Sequence, residues 1–185
     1  DSSISLIVIH AISLPPGLFN PLPVLAFFQG TLNHEMDAYF EAIKTVRVSS
    51  HLVIGRDGAM YQPVAFDQRA WHAGESSFSG QSGCNDFSIG IELIGAEEGP
   101  FTDAQYRVLA TVCQRLCQTY DIPVDQIVGH RDIAPGRKVD PGADFDYERI
   151  RPAVENGGAK ARASGIQTIA TILPINTIEA TRVGS

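Results

Sequence analysis

The chain has 185 residues, enough for one domain with a sizeable core, and 44% of them are hydrophobic against 19% charged. A net charge of −7, with no basic run beyond the interrupted stretch from Arg131 to Lys138, excludes the electrostatic footprint of a phosphate-backbone binder, so nucleic acid is not expected as a partner. No stretch reaches about eighteen consecutive apolar residues, so no membrane insertion is expected, and Asp1-Ser2-Ser3 does not resemble the start of a signal peptide.

The first element is a buried strand, Ile4 to Ile9, β-branched and apolar, that runs directly into His10. Ser13 to Pro21 carries three prolines and reads as a loop beside the strand end. Met36 to Val46 has helical spacing, with Met36, Phe40, Ile43 and Val46 on the inward side and Asn33 as a cap. His51 to Ile54 and Met60 to Val64 flank the turn signal Arg56-Asp57-Gly58 and predict a hairpin. Trp71 opens a long polar loop through Asp86, and Ser88 to Ile94 is a further strand with Glu92 inside an apolar run.

Thr102 to Tyr120 is the clearest helix. Thr102 and Gln105 match a capping box, and Tyr106, Leu109, Cys113, Leu116 and Tyr120 form an apolar stripe. Cys113 and Cys117 share a helix face and are read as small packed hydrophobes; with Cys84 they make an odd count, which favours a reducing compartment. Ile127 to Gly129 leads into His130, a Pro- and Gly-rich loop extends to Gly142, and Phe145 to Val154 predicts a last short helix. From Gly157-Gly158 the composition changes. Residues 157–185 are therefore set apart from a domain at 1–156 as a C-terminal extension, either docked or partly ordered. The alternation of strands and helices predicts an α/β fold with one sheet covered by helices.

Three candidate metal ligands stand at the ends of predicted elements: His10, His130 and Asp140. Two imidazoles and one carboxylate are a common zinc set that leaves a position for water. Their spacing is not a compact helical motif, and each residue alone has an ordinary structural reading. Glu92 strengthens the group, because a carboxylate buried within an apolar strand needs a partner, a hydrogen bond or a metal; the alternative is that strand alternation aims it outward. In such a site zinc lowers the pKa of its water, a carboxylate carries the proton to the leaving nitrogen, and a cation stabilises the developing oxyanion. Lys138, two residues before Asp140, is placed for that last task or is a solvated surface lysine. His51 and His72 either orient a substrate or bond to the ligands from behind, and Trp71 either lines a groove or packs in the core.

Five blocks occur in order: Val8-Ile9-His10-Ala11-Ile12-Ser13-Leu14-Pro15-Pro16-Gly17, Arg47 to His51, Arg69-Ala70-Trp71-His72-Ala73-Gly74, Cys84 to Glu92, and Gly129 to Gly142. Together they resemble the type 2 family of N-acetylmuramoyl-L-alanine amidases, and within it the cytoplasmic branch acting on 1,6-anhydro-N-acetylmuramyl-L-alanine. The resemblance covers roughly residues 4–154. It implies a single domain with a central mixed β-sheet flanked by helices, and a Zn2+ ion held by His10, His130 and Asp140. It further implies Glu92 as the catalytic carboxylate and Lys138 as the charged group aiding the transition state. The implied reaction cuts the amide between the lactyl group of the anhydro sugar and L-alanine of the stem peptide, for peptidoglycan recycling. An anhydromuropeptide substrate and a cytoplasmic location follow from the same likeness, and the chain is expected to act as a monomer. Ala11 and Asp132 stand where the branch often has asparagine. Two other functions compete: a zinc amidase acting on intact cell wall, and a peptidoglycan-binding module without catalysis.

Overall fold

The computed structural model describes the backbone of residues 3–161 and the side chains of residues 3–156. In chain order its elements are β1 (Leu6–Ile12), α1 (Pro21–Phe28), α2 (Ala38–Ala42), β2 (Leu52–Ile54), β3 (Met60–Tyr61), β4 (Ser77–Phe78), β5 (Gln81–Ser82), β6 (Ser88–Ile94), α3 (Asp103–Tyr120), β7 (Ile127–Gly129), α4 (His130–Ile133) and α5 (Arg151–Ala161). The main sheet has the order β3-β2-β6-β1-β7. Its three inner pairings put β2, β6, β1 and β7 parallel, and only the edge strand β3 runs antiparallel. This is the mixed sheet with flanking helices that the sequence predicts.

Every side chain of β6 is buried, as expected of a parallel strand covered on both faces. One face of the sheet, carrying Ile7, Ile9, Leu52, Ile54, Ile89, Ile91 and Leu93, packs on the apolar stripe of α3. The predicted capping box is present in full: Gln105 N donates to Thr102 Oγ1 at 3.1 Å and Thr102 N to Gln105 Oε1 at 3.0 Å. The fully buried Gln105 amide also donates to the carbonyls of Ile54 and Ile94, so the helix start closes the ends of β2 and β6. The opposite face divides in two. Leu14, Val24, Leu25, Phe27, Phe40, Val53 and Ile94 pack under α1 and α2, while Leu6, Val8, Ala73, Cys84, Phe87, Val128 and Ile133 form a cluster under the 73–87 loop and α4. All three cysteines are buried and free.

Four local expectations change. β1 continues through His10 to Ile12, so His10 lies within the strand rather than after it. Residues 21–28 form a helix that the prolines conceal. Pro21 and Pro23 occupy its first turn, where missing N–H groups leave no intrahelical bond unmade, and Asn20 Oδ1 accepts from Leu22 N at 3.0 Å. The expected helix over Met36–Val46 shrinks to a 3-10 turn at His34–Met36 and the short α2; Phe40 is buried, but Met36 is 76% exposed and Val46 is also exposed. The expected helix over Phe145–Val154 becomes a 3-10 turn at Tyr147–Arg149 followed by α5. The backbone of α5 passes through Gly157-Gly158, since each glycine costs a helix about 1 kcal/mol without forbidding it. The boundary expected after 156 thus falls inside α5, and residues 162–185 of the expected extension lie outside the described residues.

Leu109 is fully buried between α3 and the sheet. Leu109→Ala is expected to cost about 2–5 kcal/mol, measured as a lower urea midpoint at unchanged slope.

Candidate metal centre

Side chains alternate across a strand, so the parity that sends Ile7 and Ile9 into the α3 core sends Leu6, Val8 and His10 to the other face. In β6 the same rule sets Ile89, Ile91 and Leu93 against α3 and leaves Ser88, Gly90 and Glu92 on the face of His10. The parallel register pairs His10 with Glu92 directly. A ligand candidate and a carboxylate therefore stand side by side on one wall.

His130 arrives from the next strand over, as the first residue of α4 at the end of β7. The loop after it is folded back on itself. Arg131 N donates to Asp140 O at 3.0 Å, the Arg131 guanidinium donates to Gly142 O at 2.8 Å, and Gly129 N donates to Asp132 Oδ2 at 2.7 Å. Those bonds return Asp140 to the side of His130 and across from His10.

His10 Nδ1 lies 3.0 Å from His130 Nδ1, and each nitrogen is 3.2 Å from a carboxylate oxygen of Asp140. All three side chains are buried, and each offers one donor atom to a common centre. Two imidazole nitrogens facing each other at this distance cannot both carry protons; a single shared proton or a shared metal cation satisfies them. Tetrahedral ligands at about 2.0–2.1 Å from zinc are separated from one another by about 3.3 Å, close to the edges of this triangle. The donor set and its spacing fit zinc.

The protonation states suit the same ion. Burial lowers the pKa of His10 to about 4, against an opposing hydrogen bond with Asp140, so its imidazole is neutral and able to ligate at neutral pH. Burial alone would raise Asp140, but its hydrogen bonds with His10 and His130 outweigh that and hold the carboxyl below the usual carboxylate range. Glu92 behaves in the opposite way. Burial pushes its carboxyl well above the ordinary range, the Asp140 carboxylate adds to the rise, and Lys138 partly offsets it. Glu92 Oε2 is buried with no hydrogen-bond partner among the described residues. Lys138 is exposed, yet its charge reaches both His10 and Glu92.

The structure thus brings His10, His130 and Asp140 together beside Glu92. His51 and His72 are buried behind this group. His51 Nδ1 accepts from Gly90 N at 3.0 Å and its Nε2 donates to Gln68 O at 2.8 Å, which leaves neither nitrogen open to a substrate. His72 Nδ1 meets His10 Nε2 at 2.9 Å. Of the two readings of these histidines, hydrogen bonding inside the protein is the one the contacts fit. Trp71 is 58% exposed, with the Arg69 guanidinium 3.6 Å above its ring, so it stands at the surface rather than in the core. Sequence reasoning missed Asn85, Ser88 and the Ala73 carbonyl, which surround the ligands from behind; their only signal was membership in the third and fourth sequence blocks.

The family model described as N-acetylmuramoyl-L-alanine amidase matches residues 1–143. The 1,6-anhydro-N-acetylmuramyl-L-alanine amidase AmpD of Haemophilus influenzae is 52% identical over 153 residues, 82% of this chain and 83% of the relative. A crystal structure of a selenomethionine derivative of AmpD superposes with a TM-score of 0.80 at 49% identity, over 83% of this chain and 86% of that one. The amidase AmiD of E. coli, solved with anhydro-N-acetylmuramic acid-L-Ala-D-γ-Glu-L-Lys, matches with a TM-score of 0.59 at 28% identity, over 81% of this chain and 57% of that one.

Burial holds His10, His51 and His72 below the ordinary histidine pKa of 6.5. The unfolded chain therefore binds more protons than the native one below about pH 6.5. The stability of these neutral histidines is full above that value and is lost as pH falls towards the native pKa, about 4 for His10. Glu92, raised instead, acts in the opposite direction, one group against three. Chelator-treated protein is expected to show a lower urea midpoint at about pH 5 than at about pH 7.5.

Proposed function

The chain belongs to the N-acetylmuramoyl-L-alanine amidase family, and from that premise we infer that it is a zinc-dependent hydrolase of anhydromuropeptides. The bond cut is the amide between the lactyl group of 1,6-anhydro-N-acetylmuramic acid and L-alanine of the stem peptide. The observation that carries this reading is the convergence of His10, His130 and Asp140 with an unpartnered buried carboxylate, Glu92, on the same sheet face. When bound by that triad, zinc supplies Lewis acidity, which acidifies water towards a pKa of about 7 and polarises a carbonyl.

The remaining chemistry belongs to the chain's own side chains. Glu92 takes the proton of the attacking water at its free Oε2 and delivers it to the departing amide nitrogen. Burial raises the Glu92 carboxyl above the ordinary carboxylate range, which makes it a stronger proton acceptor than an exposed glutamate. Lys138 sets a positive charge beside the carbonyl oxygen as it becomes tetrahedral, where the charge favours the transition state over the ground state. Trp71 offers an exposed flat apolar face to the sugar or peptide. No helix among the described residues is long and apolar enough to cross a membrane. We assign the chain to the cytoplasm, acting as a monomer on soluble fragments, within an amidase domain at 1–156.

Zinc-loaded protein is expected to release free stem peptide from anhydromuropeptide and to leave intact sacculi uncut. Turnover of sacculi alone would favour the cell-wall reading, and binding without turnover the non-catalytic one. Glu92→Gln is expected to keep zinc while kcat falls by about 10²–10⁴-fold, whereas Asp140→Ala is expected to lose the metal itself. Metal content measured beside rate separates the two roles.

A further inference from the structure

We infer that the dipeptide His72-Ala73, clamped by Asn85 and seated on Gly90, is the device that positions both histidine ligands and fixes their tautomers. The inference rests on the metal reading above and extends it to residues that touch neither metal nor substrate.

Both ligands point Nδ1 at the common centre. A neutral imidazole that ligates through Nδ1 carries its proton on Nε2. His130 Nε2 lies 3.0 Å from the Ala73 carbonyl, which can only accept, so the proton of His130 is held on Nε2. His10 Nε2 lies 2.9 Å from His72 Nδ1, which must therefore be the bare nitrogen of His72. The proton of His72 is then on Nε2, which faces Ser88 Oγ at 3.2 Å. Ser88 in turn donates to the Cys84 carbonyl, leaving its lone pairs for His72. One carbonyl thus sets the direction of a chain through Ser88 and His72 to His10. The reverse direction would place a proton on His10 Nδ1, inside the cluster, and exclude a metal.

The seat of His72 is built for this task. Asn85 Oδ1 accepts from the backbone N–H of both His72 and Ala73, at 3.0 and 2.8 Å, so one buried amide holds the groups behind both ligands. Gly90 has no side chain where the His72 ring lies: a Cβ there would come within 2.4 Å of it. The Arg137 guanidinium donates to the same Ala73 carbonyl at 2.6 Å and pins it from the solvent side.

The test measures zinc affinity by chelator competition, together with histidine ¹⁵N chemical shifts of zinc-loaded wild-type protein. The wild type is expected to show the ring proton on Nε2 in His10, His72 and His130. His72→Phe, which keeps a ring but removes the acceptor, is expected to weaken zinc binding about 10–100-fold. His72→Asn, whose amide oxygen takes the place of Nδ1, is expected to recover most of that loss, and Asn85→Ala is expected to weaken binding in the same range. A proton on Nδ1 of His72 in the zinc-loaded wild type would overturn the inference. So would a folded His72→Phe protein that binds zinc as the wild type does. If His72→Phe does not fold, the wild-type shifts decide. A wild type that binds no zinc would overturn the metal reading as well, whereas normal wild-type binding with an indifferent His72→Phe overturns only this one.

Discussion

The pairing of His10 with Glu92 across two parallel strands is the constraint on which the site depends. Side-chain direction alternates with period two, so a slip of one residue in β1 would drive His10 into the α3 core and turn Ile9 towards the metal. The register is secured by apolar residues on the far face. Ile7, Ile9, Ile89, Ile91 and Leu93 must all meet α3, which bars every one-residue slip and keeps His10 and Glu92 together on the other side. The hydrophobic core thus aligns the polar site without touching it.

Burying two imidazoles and two carboxylates together is costly unless each polar atom finds a partner. Most do. Asp140 is held by both ligands, His51 is satisfied at both nitrogens, and His72 lies within a chain that ends on a backbone carbonyl. The exception is Glu92 Oε2. An orphaned buried oxygen is a stability defect in an ordinary core; in the proposed mechanism it is the atom that takes the proton. The adjacent carboxylates also differ. The Asp140 carboxyl is depressed by the imidazoles, as suits a charged ligand, while that of Glu92 is raised by burial, as suits the proton carrier proposed above. Environment alone separates their roles.

The 130–142 segment answers a different requirement. His130 and Asp140 come from one loop, and flexible loops hold geometry poorly. Here Arg131 joins both ends through its backbone N–H and its guanidinium, and Arg137 fastens the middle to the carbonyls of Ala73 and Glu75. Two arginines on an acidic chain thus serve as fasteners of the loop.

The local code of the sequence determined much of this protein. The capped helix at 102–120, the β-branched strands, the burial of the cysteines and the candidate ligands were legible because caps, periodicity and residue type act over a few neighbours. Where local signals conflicted, the reading failed: prolines concealed α1 because the breaker signal ignores their position in a helix's first turn, and the spacing of Met36 to Val46 promised a helix that finds no core to cover. The face of Glu92, the choice between substrate and protein for His51 and His72, and the exposure of Trp71 were open in one dimension. Only the tertiary structure decided them, because each depends on which residue of a distant strand or loop lies opposite, and that is set by sheet register and loop closure rather than by neighbours in the chain.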